Sequence, residues 1–548
     1  MAELLETFAA PTPAECSVIR DRIQQIAVDM SILDSEIEHV EAILERLRQN
    51  RSALQKLSEV HYSVLNPTRR LPVEILGEIF VQLQEMLGGR SIAPTQICRH
   101  WREVAIGTSR LWNCIKVPYY SGKAAADAEM VTLWQQRSGG QPLTIMLGRK
   151  TWYWGPSAAE RKNPAFDSAL NSQAHRWKDM QLHVNDAIAS FLNNIPEDLP
   201  MLHTLYMSGR PRDEVTPFAN FSNASALRFL TLNGRLSTPM PIFPWAQLTK
   251  CSLLREGGYT WQDGYHVLSQ AGNLQAYKME LDALSAASDV HPLPGICLDH
   301  LLSLDIDIIE GANVRHLFDC LTLPALTDLR VIQTFQIHLL EHTVAMIIRS
   351  RCTLKRLAIG SRNVALTHGQ LLNIFTLTPM LTELKLSFKG SVGLDEFLMD
   401  LMTHYPHHPV GPCCLLPQLA SIKLHVNSCL SYEELAEFLS MRFDTTPCVP
   451  GAMAQLRTVA LIPWDDTTAS GRRSYHLPDE TYTYFLELRN RGLDLHILGR
   501  TRRLELEEYF IPGNEEDDSE DEEDEDDEPG YDNSFDYYEY DSDLGGEW

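Results

Sequence analysis

The sequence predicts a mixed α/β protein whose body is a solenoid of stacked parallel strands. An N-terminal coiled-coil-like helix and a small all-α module precede the body, and a disordered acidic tail follows it. Three observations predict this: an unbroken heptad of apolar residues from Ile19 to Leu47, two short amphipathic helices set off by Pro67, Pro72 and Pro94, and a phrase L-x-x-L-x-L that returns eleven times between Trp177 and Leu456. At 548 residues the chain exceeds what one core usually serves, so more than one folded unit is expected. The boundaries are 1–15 for a disordered N-terminus, 16–61 for the coiled-coil-like helix, 62–117 for the helical module, 118–512 for the solenoid and 513–548 for the tail.

In the first element Ile19, Ile23, Ile26, Met30, Leu33, Ile37, Val40, Leu44 and Leu47 alternate steps of four and three, continuing more weakly through Leu54 and Leu57. A sustained 3.5-residue period is the seam of a coiled coil. In a parallel homodimer Asp29 would face Asp34 of the other copy and Glu36 would face Glu41, and like charges there oppose that pairing. An antiparallel pair, a different partner, or docking of the helix on its own body stay open.

The second element begins with LNPTRRLPVEILGEIF. Its two prolines break the chain before a new helix, and Ile75, Leu76, Ile79, Phe80 and Leu83 are spaced for one apolar face. Gly88, Gly89 and Pro94 separate it from a second helix, ICRHWREVA, after which comes LWNCIKV.

The body is read from the repeated phrase, which starts at Trp177, Leu202, Leu227, Leu248, Leu274, Leu301, Leu326, Leu354, Leu381, Leu419 and Leu456. The intervals are 25, 25, 21, 26, 27, 25, 28, 27, 38 and 37 residues, most of them within the span of a leucine-rich repeat. Each phrase predicts one strand of a curved parallel sheet, supported only by its neighbours. Stretches such as LLNIFTLTP and HTVAMIIRSR predict the returning helices. The Asn expected three residues after the phrase is mostly missing, being present only at Asn185 and Asn427.

Side chains alternate along a strand, so the residue between the last two apolar positions points away from the core. That column reads Gln181, Tyr206, Thr231, Ser252, Lys278, Asp305, Arg330, Ala358, Lys385, Lys423 and Ala460. Its weighting toward Lys278, Arg330, Lys385 and Lys423, with Asp305 among them, suggests a face for an acidic or phosphorylated protein ligand, with the chain's own tail as competitor. The plainer reading is a row of ordinary solvated strand residues.

In the tail, thirteen of the fourteen residues from Glu515 to Glu528 are acidic, too few apolar groups to offset chain entropy. Ser519, followed by Glu520, Asp521 and Glu522, suits an acidophilic kinase. The whole chain carries −26, but the residues before Glu515 hold 54 acids against 47 Lys and Arg, a net of −7. No clustered positive footprint points to nucleic acid.

No apolar run reaches the ~20 residues of a membrane span, and Glu3 and Glu6 stand where a secretory leader would be basic. Eleven cysteines without a C-x-x-C pair fit a reducing compartment. The protein is therefore expected in cytosol or nucleus. None of the phosphate-loop, dinucleotide, H-E-x-x-H or G-x-S-x-G patterns occurs, so no enzyme, no catalytic residue and no cofactor is expected. His404, His407, His408, Cys413 and Cys414 are five zinc-ligand types within eleven residues. Adjacent cysteines among Pro406, Pro409 and Pro412 close poorly around a tetrahedron, so a proline-stiffened inserted loop is expected instead of a metal site.

Leu71-Pro72-x-Glu74-Ile75-Leu76-x-x-Ile79-Phe80, followed by Cys98-Arg99-x-Trp101-Arg102-x-x-Ala105 and Leu111-Trp112, resembles the F-box family. The likeness covers residues 66 to 117, with GGRSIAPTQ standing where the family has a longer, Leu-containing segment. A heptad helix before the box and a degenerate leucine-rich body after it make the layout similar to F-box proteins of mushroom-forming fungi. The resemblance implies a substrate-recognition adaptor of a cullin-RING (SCF-type) ubiquitin ligase. Its module would bind a Skp-family linker, and through it a cullin, while the repeats bind an unknown protein substrate. Carried over by position, Leu71, Pro72, Ile75, Leu76, Ile79 and Phe80 would contact the linker, joined by Ile97, Cys98 and Trp101. Independently of the resemblance, so small a module cannot hide all those apolar groups, and an exposed patch should find a partner. The two helices could also simply cap the repeat stack. The alternative function is a leucine-rich-repeat and coiled-coil scaffold with no ubiquitin role.

Overall fold

The computed structural model describes residues 10–87, 92–117, 124–148, 164–184, 188, 191–209, 221–234, 242–254, 258–281, 293–308, 314–333, 339–361, 368–388, 404–405, 413–426, 432–443, 454–463, 475–477, 479–498, 503–504, 506 and 510–512. The chain divides into two compact units, the first comprising residues 1–116 with 132–141, the second the remainder.

The first unit opens with helix α1, Pro13–Leu65, which at 1.5 Å per residue is about 80 Å long. It extends beyond both expected ends. At the N-terminus Thr12 accepts from the Glu15 N–H while the Glu15 carboxylate accepts from the Thr12 N–H, a reciprocal cap that starts the helix at Pro13. At the other end Pro67 bars Asn66 from the helical region, and Asn66 instead accepts from the Thr68 N–H to open the turn Pro67–Arg70.

Helix α2 (Val73–Met86), a single helical turn (Pro94–Ile97) and helix α3 (Arg99–Gly107) follow. Their core is Leu76, Phe80, Val81, Ala105, Leu111 and Trp112. Phe80 packs against Trp101 with ring centroids 5.0 Å apart. The Trp112 indole N–H donates to the Ala105 carbonyl at 2.9 Å, so this buried polar group is satisfied. Helix α4 (Ala124–Arg137) sets Trp134 edge-on to Trp112, and Arg137 lies 4.4 Å over the Trp112 ring.

The second unit is an α/β solenoid. Its parallel strands stand side by side in chain order: β1 (Leu143–Leu147), β2 (Trp177–His183), β3 (Thr204–Ser208), β4 (Phe229–Asn233), β5 (Lys250–Leu253), β6 (Ala276–Leu281), β7 (Ser303–Ile308), β8 (Asp328–Gln333), β9 (Arg356–Ser361), β10 (Glu383–Phe388), β11 (Ser421–Val426), β12 (Thr458–Pro463) and β13 (Asp494–Leu498). All eleven phrases are strands. The first, fourth and sixth residues of every phrase form three buried columns, none more than 4% exposed. The ladder begins ahead of the strands, where the second residue of one phrase donates its N–H to the second residue of the phrase before, from His203 on Lys178 to Arg457 on Ala420.

Strands β1 and β13 escape the phrase. Leu143 stands against Trp177, and the register slips between Leu143 and Thr144, so this strand is one residue short. In β13 the first position of the phrase falls on Gly492, while Leu495 and Ile497 keep the later two.

The returns are helical at α5 (Pro164–Asn171), α6 (Trp261–Gln270), α7 (Arg315–Cys320), α8 (Leu339–Ser350), α9 (His368–Thr376), α10 (Tyr432–Phe443) and α11 (Asp479–Asn490). Without a regular Asn ladder, side chains from one return satisfy carbonyls of the repeat before. Arg349 donates to Leu321 and Phe318, Arg442 to Leu416, Asn273 to Ala246, and Gln247 to Ala224. The long 38-residue interval holds an antiparallel pair, His404–Tyr405 with Cys413–Cys414.

Candidate functional site

The first surface is on the helical module. Leu71 ends the turn before Pro72, which precedes α2. Along α2 the five apolar residues expected on one face divide between two. Leu76 and Phe80 are each 1% exposed and hold the module's own core, whereas Ile75 (51%), Ile79 (47%) and Leu83 form a ridge to solvent at four-residue steps. Ile97 and Cys98 are exposed, Trp101 is half-buried, and the Cys98 Sγ accepts from the Trp101 N–H at the start of α3. Of the nine carried-over residues, Leu76 and Phe80 thus shape the surface from beneath. Val73, Met86, Leu87 and Ile92 add exposed apolar groups that the motif does not mark. Arg110 pairs with Glu78 at 2.6 Å beside the ridge. Gly77 permits the close approach of α2 to Thr108, whose Oγ1 would lie 2.8 Å from an added Cβ.

The seam of α1 is also exposed. Ile23, Met30, Leu33, Ile37, Val40 and Leu47 all face solvent.

The second surface is the outward face of the sheet. Gln181, Tyr206, Thr231, Ser252, Lys278, Asp305, Arg330, Ala358, Lys385, Lys423 and Ala460 stand in continuous register, extended by Met146 and His496 at the ends. Along the early strands the central column is neutral, and aromatic contacts cluster there: His183 lies edge-on to Tyr206, and His203 edge-on to Phe229.

The middle is charged, and the flanking columns change its meaning. Lys278 pairs with Glu280 at 2.9 Å, Arg330 with Asp305 at 2.5 Å and with Asp307 at 3.4 Å, and Arg356 with Asp328. Burial opposes the charge on Lys278, but the Glu280 carboxylate outweighs it and raises the pKa. The basic weighting of the central column is therefore largely neutralised up to β9. A single-column reading misses Glu280, Asp307 and Asp328, although their spacing of two residues along the strand puts them on the same face.

Lys385 differs. Burial first, then Arg330 and Lys423, push its pKa down to about 8, with Asp305 acting the other way. His425 is pushed down to about 3 by burial and by Lys385, and is neutral.

The antiparallel pairing puts His404 opposite Cys414, while His407 and His408 lie outside the described residues, as do Ser519 and the whole tail. Among the described residues no group of three or more His, Cys, Asp or Glu is placed to hold a metal ion, and no helix is long and apolar enough to cross a membrane.

No family model matches the chain, and no curated protein matches it. Among solved structures, it is similar to a chain in the crystal structure of the Rad7 and Elc1 complex in yeast, at 12% identity and a TM-score of 0.29, over 76% of this chain and 95% of that one.

Proposed function

We propose that the protein is a non-catalytic substrate adaptor of an SCF-type ubiquitin ligase. Its helical module binds a Skp-family linker, and through it a cullin, while the outward face of the repeat sheet captures a protein substrate. The observation that carries this reading is the division of α2. Its core face is already filled by Leu76 and Phe80, yet Ile75, Ile79 and Leu83 hold a second apolar ridge in water, next to the residues that resemble the F-box. Leaving large apolar side chains exposed forgoes ~1.5–3 kcal/mol each relative to burial, which a partner's groove recovers.

The test is capture of a purified Skp-family linker by the full chain and by a variant carrying Ile75→Asp and Ile79→Asp. Both substitutions lie on the exposed ridge, so the variant is expected to fold as wild type and lose the linker. Capture unaffected by both substitutions, or no capture by wild type, defeats the reading.

The exposed seam of α1 favours a second reading, a scaffold that recruits one partner through the helix and another through the repeats. That reading requires Leu33→Glu with Ile37→Glu to abolish partner recruitment, and changes at Ile75 and Ile79 to have no effect on it.

A further inference from the structure

We propose that the exposed seam of α1 is covered by a parallel heptad helix of a separate protein, one that is basic along its flanks where α1 is acidic. The inference rests on the seam as a recruiting face; linker capture through Ile75 and Ile79 is independent of it. From Ile23 to Leu47 every seam residue is between 44 and 61% exposed, over a stretch of helix ~36 Å long. An apolar stripe of that length at a sustained heptad period is built to be covered by another helix.

The flanking charges identify the occupant. Asp29, Asp34, Glu36 and Glu41 border the middle of the seam, with Arg20 and Arg48 beyond them at either end. Among the described residues none of these four acids is engaged in an ion pair within the chain. Their charge is therefore presented to whatever lies alongside the seam.

A second copy satisfies these acids in no symmetric register that covers the whole seam. In parallel, Asp29 faces Asp34 and Glu36 faces Glu41. The antiparallel register that covers the whole seam pairs Ile23 with Leu47, Ile26 with Leu44, Met30 with Val40 and Leu33 with Ile37. It then sets Asp34 and Glu36 each against its own counterpart, and Arg20 against Arg48. A slide of one heptad brings Asp29 to Glu36 or Asp34 to Glu41. A slide of two gives Asp34 an arginine, Arg20 or Arg48, but leaves either Leu44 and Leu47 or Ile23 and Ile26 without an apolar partner. A separate parallel helix with Lys or Arg facing Asp29, Asp34, Glu36 and Glu41 turns the repulsions into attractions and still covers the seam from end to end. Flanking charges choose partners in coiled coils by this difference.

The probe is a fluorescent synthetic peptide of residues 13–65 carrying Asp29→Lys, Asp34→Lys, Glu36→Lys and Glu41→Lys, which reverses the flanks and leaves the seam unchanged. The unmodified peptide stands for a second copy. Each is titrated with the full chain in ~0.1 M salt and followed by anisotropy. The lysine peptide is expected to bind about tenfold tighter or more, four flanking pairs having changed sign. The full chain carrying Leu33→Glu and Ile37→Glu, both at exposed positions, should bind neither peptide, and sedimentation equilibrium of the unaltered full chain should give a monomer. Equal or tighter binding of the unmodified peptide, or a dimer that Leu33→Glu with Ile37→Glu dissociates, makes a second copy the occupant and overturns the proposal. Lysine-peptide binding that survives those two substitutions belongs to the acidic run Glu515 to Glu528 and overturns it too, as does binding of neither peptide. Equal binding of both peptides that is lost in the Leu33→Glu, Ile37→Glu chain sinks the basic partner while leaving the seam a recruiting face, so the scaffold reading survives that failure. No linker is present in this assay, and the adaptor reading stands or falls separately.

Discussion

Lys385 combines a candidate binding role with an energetic cost. Its pKa of about 8 in the fold lies below the ordinary 10.5, because burial disfavours the ammonium and Arg330 and Lys423 repel it, against a smaller attraction from Asp305. His425 faces it as a neutral ring. A lysine with a depressed folded pKa lowers stability while it is charged. The penalty is complete below pH about 8 and fades as the pH rises from there toward 10.5. Lys385→Met should thus stabilise the body by ~1–2 kcal/mol at neutral pH, and urea melts should show the gain shrinking above pH 8; a gain independent of pH would contradict this account. Gly209 carries a different constraint. Its φ is +113°, and an added Cβ would lie 2.3 Å from the Val184 carbonyl oxygen. Gly209→Ala should cost about 3 kcal/mol through strain and backbone clash, read as a lower denaturation midpoint. The carbonyl that Gly209 must pass belongs to the repeat before, so no residue next to it in the sequence announces the constraint.

Helix α2 shows what periodicity leaves undecided at the level of an element. Ile75, Leu76, Ile79, Phe80 and Leu83 read as one broad apolar stripe, and the spacing correctly predicts a helix. Residues 100° apart then diverge, because α3 and the turn Ser109–Trp112 cover the side bearing Leu76 and Phe80 and leave Ile75 and Ile79 in solvent. Leu76→Ala should therefore destabilise the module by ~2–5 kcal/mol through a lost contact and a cavity, whereas Ile79→Ala should stay within about 0.5 kcal/mol and act only on partner binding. Chemical denaturation followed by tryptophan fluorescence separates the two, since Trp101 and Trp112 sit in this core. Helix α1 was legible from its heptads, whereas its reciprocal Thr12–Glu15 cap falls within residues 1–15, which were expected to be disordered, although Thr-x-x-Glu ahead of an apolar run is the signal that could have placed it.

For the whole molecule, a solenoid confines each repeat's contacts to its neighbours, so energetic coupling should fade along the sheet. Leu205 and Leu230 face each other in register on β3 and β4, while Ile422 lies far along on β11. Leu205→Ala with Ile422→Ala should add within about 0.5 kcal/mol, and Leu205→Ala with Leu230→Ala should not; equal additivity in both pairs would argue against a stack of nearest-neighbour units. The amino-acid pattern by itself determined the long helix, the α/β class, eleven strands and their inward columns, because a buried position must repeat its apolar side chain each time the chain passes the same point. It also determined the outward central column, since alternation along a strand has no freedom once the inward set is placed. Only the tertiary structure supplied β1 and β13, where a register slip and Gly492 break the phrase while the neighbouring strand still dictates pairing. It alone joined columns to one another, pairing Arg330 with Asp307 and Arg356 with Asp328. Those partners lie on neighbouring strands, separated by a full repeat of chain, and ion pairing is decided by distance in space, on which the order of residues along one strand has no hold.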